Sequence, residues 1–217
     1  IAHYLARHKP RSKIIILDAK DKYTKQPLFE EGWRRLYPQG MIEWVAGGKG
    51  GRVTGVDPLT KTFFSDGGAL KADVGNVVPP QQAAAIARLA GVVDDDEWCR
   101  IDPLTFESKT VKNIHVLGDA CVAGAMPKSG FSANNQGKVT AAALVALLNG
   151  REVGEPFFLN TCYSLLSPDY GISINAAYRA TPAGIVALLG SGATSPLDAP
   201  DSVRKDAAKY AGGWYAS

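Results

Sequence analysis

The feature that most constrains this chain is its opening. A short helix, Ile1 to His8, is stopped by Pro10 and followed by an apolar strand, Lys13 to Leu17, that ends in Asp18. Proline removes a backbone donor and cannot continue a helix, while a run of isoleucines suits a pleated strand. A helix that hands its chain to a strand finishing on a carboxylate is the back end of a dinucleotide-type βαβ unit, where the acid faces a ribose hydroxyl. Such a unit carries a first strand and a G-x-G-x-x-G turn ahead of the helix. Neither is found here, so the expectation is that the sequence starts inside the motif.

The stretch after Asp18 reads as irregular and bears aromatics at Tyr23, Phe29, Trp33 and Tyr37. Met41 to Val45 reads as a strand closed by Gly47 to Gly51. That glycine run is read as a mobile turn rather than a phosphate loop, because no Ser or Thr follows Lys49 at P-loop spacing. Arg52 to Val56, Lys61 to Phe64 and Ala69 to Val78 form three strands of a meander, separated by turn residues and ended by Pro79-Pro80. Gly75 weakens the last of them, and the glycine run loosens the same sheet. A helix over Gln81 to Ala90 stops at Gly91, and Thr110 to Leu117 supplies a strand running into Gly118-Asp119. His115 within it suits a packed or hydrogen-bonded core position better than a ligand.

A long helix follows over Phe131 to Asn149, with Ala142, Leu144, Val145, Leu147 and Leu148 as its apolar surface and Gly150 as its stop. From about residue 151 the character changes. Ile172, Ile174, Ala176 and Tyr178 alternate with small or polar residues, and the turn Thr181-Pro182-Ala183-Gly184 leads to Ile185 to Leu189, an antiparallel hairpin. The expected class is α/β: a partial Rossmann-like fold with a β-meander, plus a smaller α+β C-terminal module. Its expected parts are residues 1–78, 79–150 and 151–217.

Composition narrows the function classes. A net charge of +3 from 24 basic and 21 acidic residues, without clustering, gives no footprint for nucleic acid. The longest apolar run, Ala141 to Leu148, is far short of the roughly 20 residues that span a bilayer. The first ten residues lack the apolar core of a secretory signal. Cys99, Cys121 and Cys162 are widely spaced and form no metal-ligand pattern with His3, His8 and His115, so no metal is expected. They are either buried thiols or include one whose partner lies outside this sequence.

Three constellations carry chemistry. Gly118-Asp119 at a strand end offers a carboxylate to a sugar-like hydroxyl and a glycine that lets a cofactor approach the backbone; ordinary turn chemistry is the plain alternative. Met126-Pro127-Lys128-Ser129-Gly130-Phe131-Ser132 leads into the long helix, whose N-terminus favours an electron-rich group. Capping by Ser129 or Ser132 is compatible with that role. Cys162, in Asn160-Thr161-Cys162-Tyr163-Ser164, is read at the start of an irregular connection flanked by polar residues. That makes it the best redox candidate of the three thiols.

Taken together, the segments KIIILDAKDKYTKQPLFEEGWRRLYP, KADVGNVVPPQ, DEWCRIDPLTFESKTVKNIHVLGDA, MPKSGFSANNQGKV and NTCYSLLSPDYGISI resemble the flavoprotein subunit of flavocytochrome c sulfide dehydrogenase. That family is related to the sulfide:quinone reductases. The resemblance implies that residues 1–78 belong to an NAD-like domain not used for a nicotinamide, and that 79–150 return to the FAD-binding domain. Residues 151–217 would form the module near the flavin and the cytochrome. It implies FAD as cofactor, with Gly118, Asp119, Lys128, Ser129, Gly130, Phe131 and Ser132 facing it. Cys162 becomes one sulfur of a redox disulfide beside the flavin.

The partner sulfur, the cysteine that links FAD covalently and the main FAD fingerprint are all expected upstream of Ile1. The implied activity is sulfide oxidation with electron transfer to a c-type cytochrome subunit, in the periplasm. Trp214 is read either as approaching the flavin or cytochrome or as packing. The competing readings are a non-catalytic truncated module that cannot hold FAD alone, and an NAD(P)H-dependent disulfide reductase, which the lack of a C-x-x-C or C-x-x-x-x-C pair disfavours.

Overall fold

The computed structural model describes the backbone of residues 1–216 and the side chains of residues 1–213; the side chain of Trp214 lies outside the described residues. Helices and sheets are mixed, as expected for an α/β flavin-binding fold. The chain forms two compact units. One comprises residues 1–79, 163–172 and 195–217, the other 80–162 and 173–194. The strands β8 (Phe157–Ser167) and β9 (Tyr170–Thr181) each contribute to both.

In the first unit, α1 (Ala2–His8) leads to β1 (Ile14–Leu17), which pairs in parallel with β2 (Ile42–Val45), Ile14 opposite Ile42. Between them runs α2 (Gln26–Leu36), so the segment read as irregular is the crossover helix of a βαβ unit. Pro27 sits in its first turn, where the missing donor costs nothing. Gly32, within the helix, is buried, and a Cβ there would fall 2.0 Å from a Leu166 methyl. Leu28, Phe29, Trp33 and Leu36 pack with Leu166, Tyr170 and Ile172. Burial of each such side chain is worth about 1.5–3 kcal/mol, enough to offset the glycine.

The meander is antiparallel, with β3 (Val53–Asp57), β4 (Thr62–Ser65) and β5 (Gly68–Lys71) in sequence order. The last strand is shorter than expected, and Gly75 lies beyond it. A Cβ on Gly75 would meet the Phe63 ring at 2.2 Å, so this glycine permits a close approach rather than weakening a ladder. The unit also holds α5 (Asp201–Ala216), unmarked in the sequence reading. Gly171 lies against its backbone at Ala207 and Ala208. Arg204, 1% exposed, bonds Ser195 and the carbonyls of Pro196 and Leu197 and lies over the Tyr170 ring.

In the second unit, α3 (Ala85–Leu89) is followed by two short parallel strands, β6 (Cys99–Arg100) and β7 (Cys121–Val122), with Cys99 opposite Cys121. The strand expected over Thr110 to Leu117 does not form. Asn113 takes a left-handed φ of 64°, and the chain folds back so that Ser108 N–H bonds Ile114 O and Val116 N–H bonds Phe106 O. His115 is hydrogen-bonded as read, its Nδ1 2.8 Å from Thr105 O.

The long helix is α4 (Gly130–Leu148). Its buried face is Ser132, Gln136, Thr140 and Ala143, at helical spacing, whereas Val145, Leu147 and Leu148 are exposed. The apolar surface expected from residues 142–148 is therefore not the packed one, since small and polar residues let the helix approach the Gly118–Ala120 turn. β9 pairs with β10 (Gly184–Ala187) and β11 (Ala193–Thr194), both antiparallel, confirming the hairpin at Thr181. Phe106, Met126, Phe158, Tyr178 and Ile185 stand at the core of the unit, Phe106 meeting Phe158 edge-on.

Candidate functional site

The ends of the two strand systems differ in what fills them. At the end of β1, the Asp18 carboxylate accepts from the Lys20 N–H at 3.0 Å, from Lys20 Nζ at 2.9 Å and from Trp44 Nε1 at 3.4 Å. Burial works against its charge, but these donors outweigh it and hold the carboxyl below the usual range. The glycine run closes over the same place through backbone contacts. Gly47 N–H bonds Lys20 O, and a Cβ on Gly51 would sit 2.0 Å from Val45 O and 2.7 Å from Asp18 O.

Gly118 and Asp119 lie in a tight turn just before β7. Gly118 has φ +73°, a conformation that favours glycine, and its N–H donates to Gln136 Oε1 at 2.7 Å. Gln136, 2% exposed on α4, also receives the Cys121 thiol and donates to Met126 Sδ. Asp119 is exposed, and among the described residues its carboxylate makes no hydrogen bond or ion pair. It lies at a cavity of about 290 Å³ lined also by Trp98, Arg100, Lys128, Ser132 and Ala133.

Lys128 is exposed, yet its side chain is tied back to the backbone. Its Nζ donates to Asp119 O and, at 3.0 Å, to Cys121 O, and it stands 3.8 Å from the centre of the Trp98 ring. It thus clamps the Gly118–Cys121 turn. Ser129 is the N-cap of α4, its Oγ accepting the Ser132 N–H at 3.1 Å, while Gly130 opens on empty space and Phe131 is half-buried. The second serine, Ser132, is buried and does not cap.

Cys162 lies within β8, not at the start of an irregular connection. The ladder fixes its backbone and leaves the sulfur half-buried. Asn160, two residues earlier on the same face, accepts the Ser129 hydroxyl at 2.6 Å and the Ser132 hydroxyl at 3.1 Å, and its Nδ2 lies 3.3 Å from Cys162 Sγ. The structure therefore brings Cys162 to the start of α4 through one buried amide that the sequence reading did not single out. Tyr178 lies close by; burial raises its hydroxyl's pKa and the Cys162 sulfur adds to that.

The other thiols are of a different kind. Burial pushes Cys121 up to about 11, only partly opposed by Lys128, and burial with the nearby Asp94 raises Cys99. Both are poor nucleophiles at neutral pH.

Comparison with known families gives two matches. Residues 1–79 match the central part of the sulfide dehydrogenase [flavocytochrome c] flavoprotein chain, and residues 154–217 match the flavin-binding part of flavocytochrome c sulphide dehydrogenase. The chain belongs to the flavocytochrome c sulfide dehydrogenase flavoprotein family. Its cofactor is a flavin, consistent with FAD. The residues present suit that cofactor: Asp119 offers an acceptor beside a cavity, and α4, capped by Ser129, has a helix N-terminus of the kind that favours an electron-rich group. No helix among the described residues is long and apolar enough to cross a membrane.

Proposed function

We propose that this flavocytochrome c sulfide dehydrogenase chain contributes the redox sulfur and one wall of the flavin site to FAD-dependent sulfide oxidation, with a periplasmic c-type cytochrome subunit as electron acceptor. The observation that carries the reading is the link from Cys162 through Asn160 to Ser129 and Ser132 at the start of α4. In the division of labour that follows, residues 1–78 are the NAD-like part, 79–150 the FAD-domain part and 151–217 the flavin and cytochrome module.

Asp119 binds a hydroxyl of the cofactor's polyol chain, and Gly118 lets that chain approach the backbone. Lys128 holds the turn, and the segment from Ser129 through Gly130, Phe131 and Ser132 turns the positive end of α4 toward the pyrimidine edge. Cys162 forms a disulfide with a sulfur supplied from outside the 217 residues. Sulfide, as HS⁻, forms a new S–S bond to one of the two sulfurs as the disulfide breaks, and the other leaves as thiolate; sulfide is oxidised and the disulfide reduced. When bound beside these residues, FAD would supply the capacity to accept an electron pair and to release electrons singly toward a c-type haem.

In the holoprotein, Cys162→Ser is expected to lower sulfide-dependent cytochrome reduction at least about a thousandfold while flavin content is unchanged. Turnover within about tenfold of the wild type would remove Cys162 from the mechanism.

A further inference from the structure

Asn160 is 3% exposed, and every polar contact that its side chain makes is directional. Ser129 Oγ already accepts the Ser132 N–H, so its hydroxyl hydrogen is the one left to give, and Asn160 Oδ1 takes it at 2.6 Å. The Ser132 hydroxyl donates to the same oxygen at 3.1 Å. With two hydroxyl protons on Oδ1, the amide cannot turn without losing both, and its NH₂ is held toward Cys162 Sγ at 3.3 Å. A thiol at Cys162 also reaches back to Oδ1, at 3.6 Å. The amide therefore serves either form of the sulfur, but its short contact is a donor, which favours negative charge there. In a buried setting such a bond to an ionised group is about twice as strong as a neutral one.

We propose that Asn160 is the positioning residue of the redox sulfur: locked by Ser129 and Ser132, it aims an N–H at Cys162 and stabilises the sulfur as the thiolate that leaves when the disulfide breaks. This deepens the reading of Cys162 given above and rests on it. The same two serines tie that donor to the start of α4, so the group that orients the sulfur and the helix end that faces the flavin share one hydrogen-bonded unit.

The test is the rate at which Cys162 is alkylated by neutral iodoacetamide in the reduced holoprotein at pH 7, with adducts assigned by mass spectrometry. Asn160→Asp keeps an acceptor for the serines and replaces the N–H by a carboxylate oxygen. It is expected to slow alkylation about tenfold. A loosened strand would uncover the sulfur and speed the reaction, so the sign separates orientation from mere packing. For a two-electron couple the same factor lowers the disulfide's potential by about 30 mV.

If Asn160→Asp does not fold, the double variant Ser129→Ala, Ser132→Ala decides. It leaves Asn160 in place but frees the amide to turn, and a slowing of about threefold is expected. Alkylation at or above the wild-type rate in the folded variants overturns the proposal. The alkylation rate involves neither sulfide nor cytochrome, so turnover that survives Cys162→Ser is a separate result, which strikes the redox reading itself.

Discussion

Asp18 follows β1 and Asp119 lies in the tight turn before β7, and the two carboxylates have opposite surroundings. Asp18 is held by Lys20 and Trp44, and the glycine run from Gly47 to Gly51 is packed against the backbone beside it. Among the described residues Asp119 has no such partner, and it borders a cavity. The same residue type is a structural post in one unit and an available acceptor in the other. What decides between them is not the acid but whether neighbouring donors and glycines have already filled the space a ligand would use.

The comparison can be broken or sharpened by substitution. The largest effect is expected for Gly51→Ala, whose Cβ would meet two carbonyl oxygens that cannot move independently. Denaturant unfolding should show a loss of about 3 kcal/mol or more; a cost below about 1 kcal/mol would mean that the first end is not sealed by backbone contact.

Next comes the floor of the second end. Cys121 is buried with its pKa raised from 9.0 to about 11, so the unfolded chain loses this proton first as pH rises. Its contribution to stability is intact below pH 9 and is lost up to about pH 11, on the order of 2–3 kcal/mol. Cys121→Ala should flatten that alkaline slope, and an unchanged slope would contradict the burial. The smallest effect is expected for Asp18→Ala, which removes local bonds only: a loss of about 1 kcal/mol in denaturant unfolding. A loss above about 3 kcal/mol would show that Asp18 is more than a local post.

Local chemistry made much of this legible. Proline and glycine punctuation marked β1, β2, the meander, the hairpin at Thr181 and α4, whose Ser129 cap lies where a polar residue before an unbroken helical run is expected. What was not legible depends on distant partners. The crossover helix α2 carries Gly32 because Leu166 packs there, and the sequence near Gly32 cannot announce a side chain more than a hundred positions away. Residues 110–117 read as a strand by composition, but the left-handed Asn113 turns them into a tight return. Gln136 and Asn160 look like ordinary surface amides in sequence. Each is buried because a turn or a capped helix offers it partners, and a buried polar residue within a helix or strand is the one signal that composition cannot show.

The central claim is that the flavin is held at the Asp119 end and not at the Asp18 end. The most direct test is flavin per polypeptide in purified holoprotein, from absorbance near about 450 nm, for Asp119→Ala beside Asp18→Ala. With FAD linked covalently, as the resemblance implies, the link forms on a flavin already seated, so loss of the Asp119 acceptor should lower the fraction of chains that take up flavin, while Asp18→Ala retains the wild-type content. Full flavin in Asp119→Ala, or an equal shortfall in Asp18→Ala, would contradict the account.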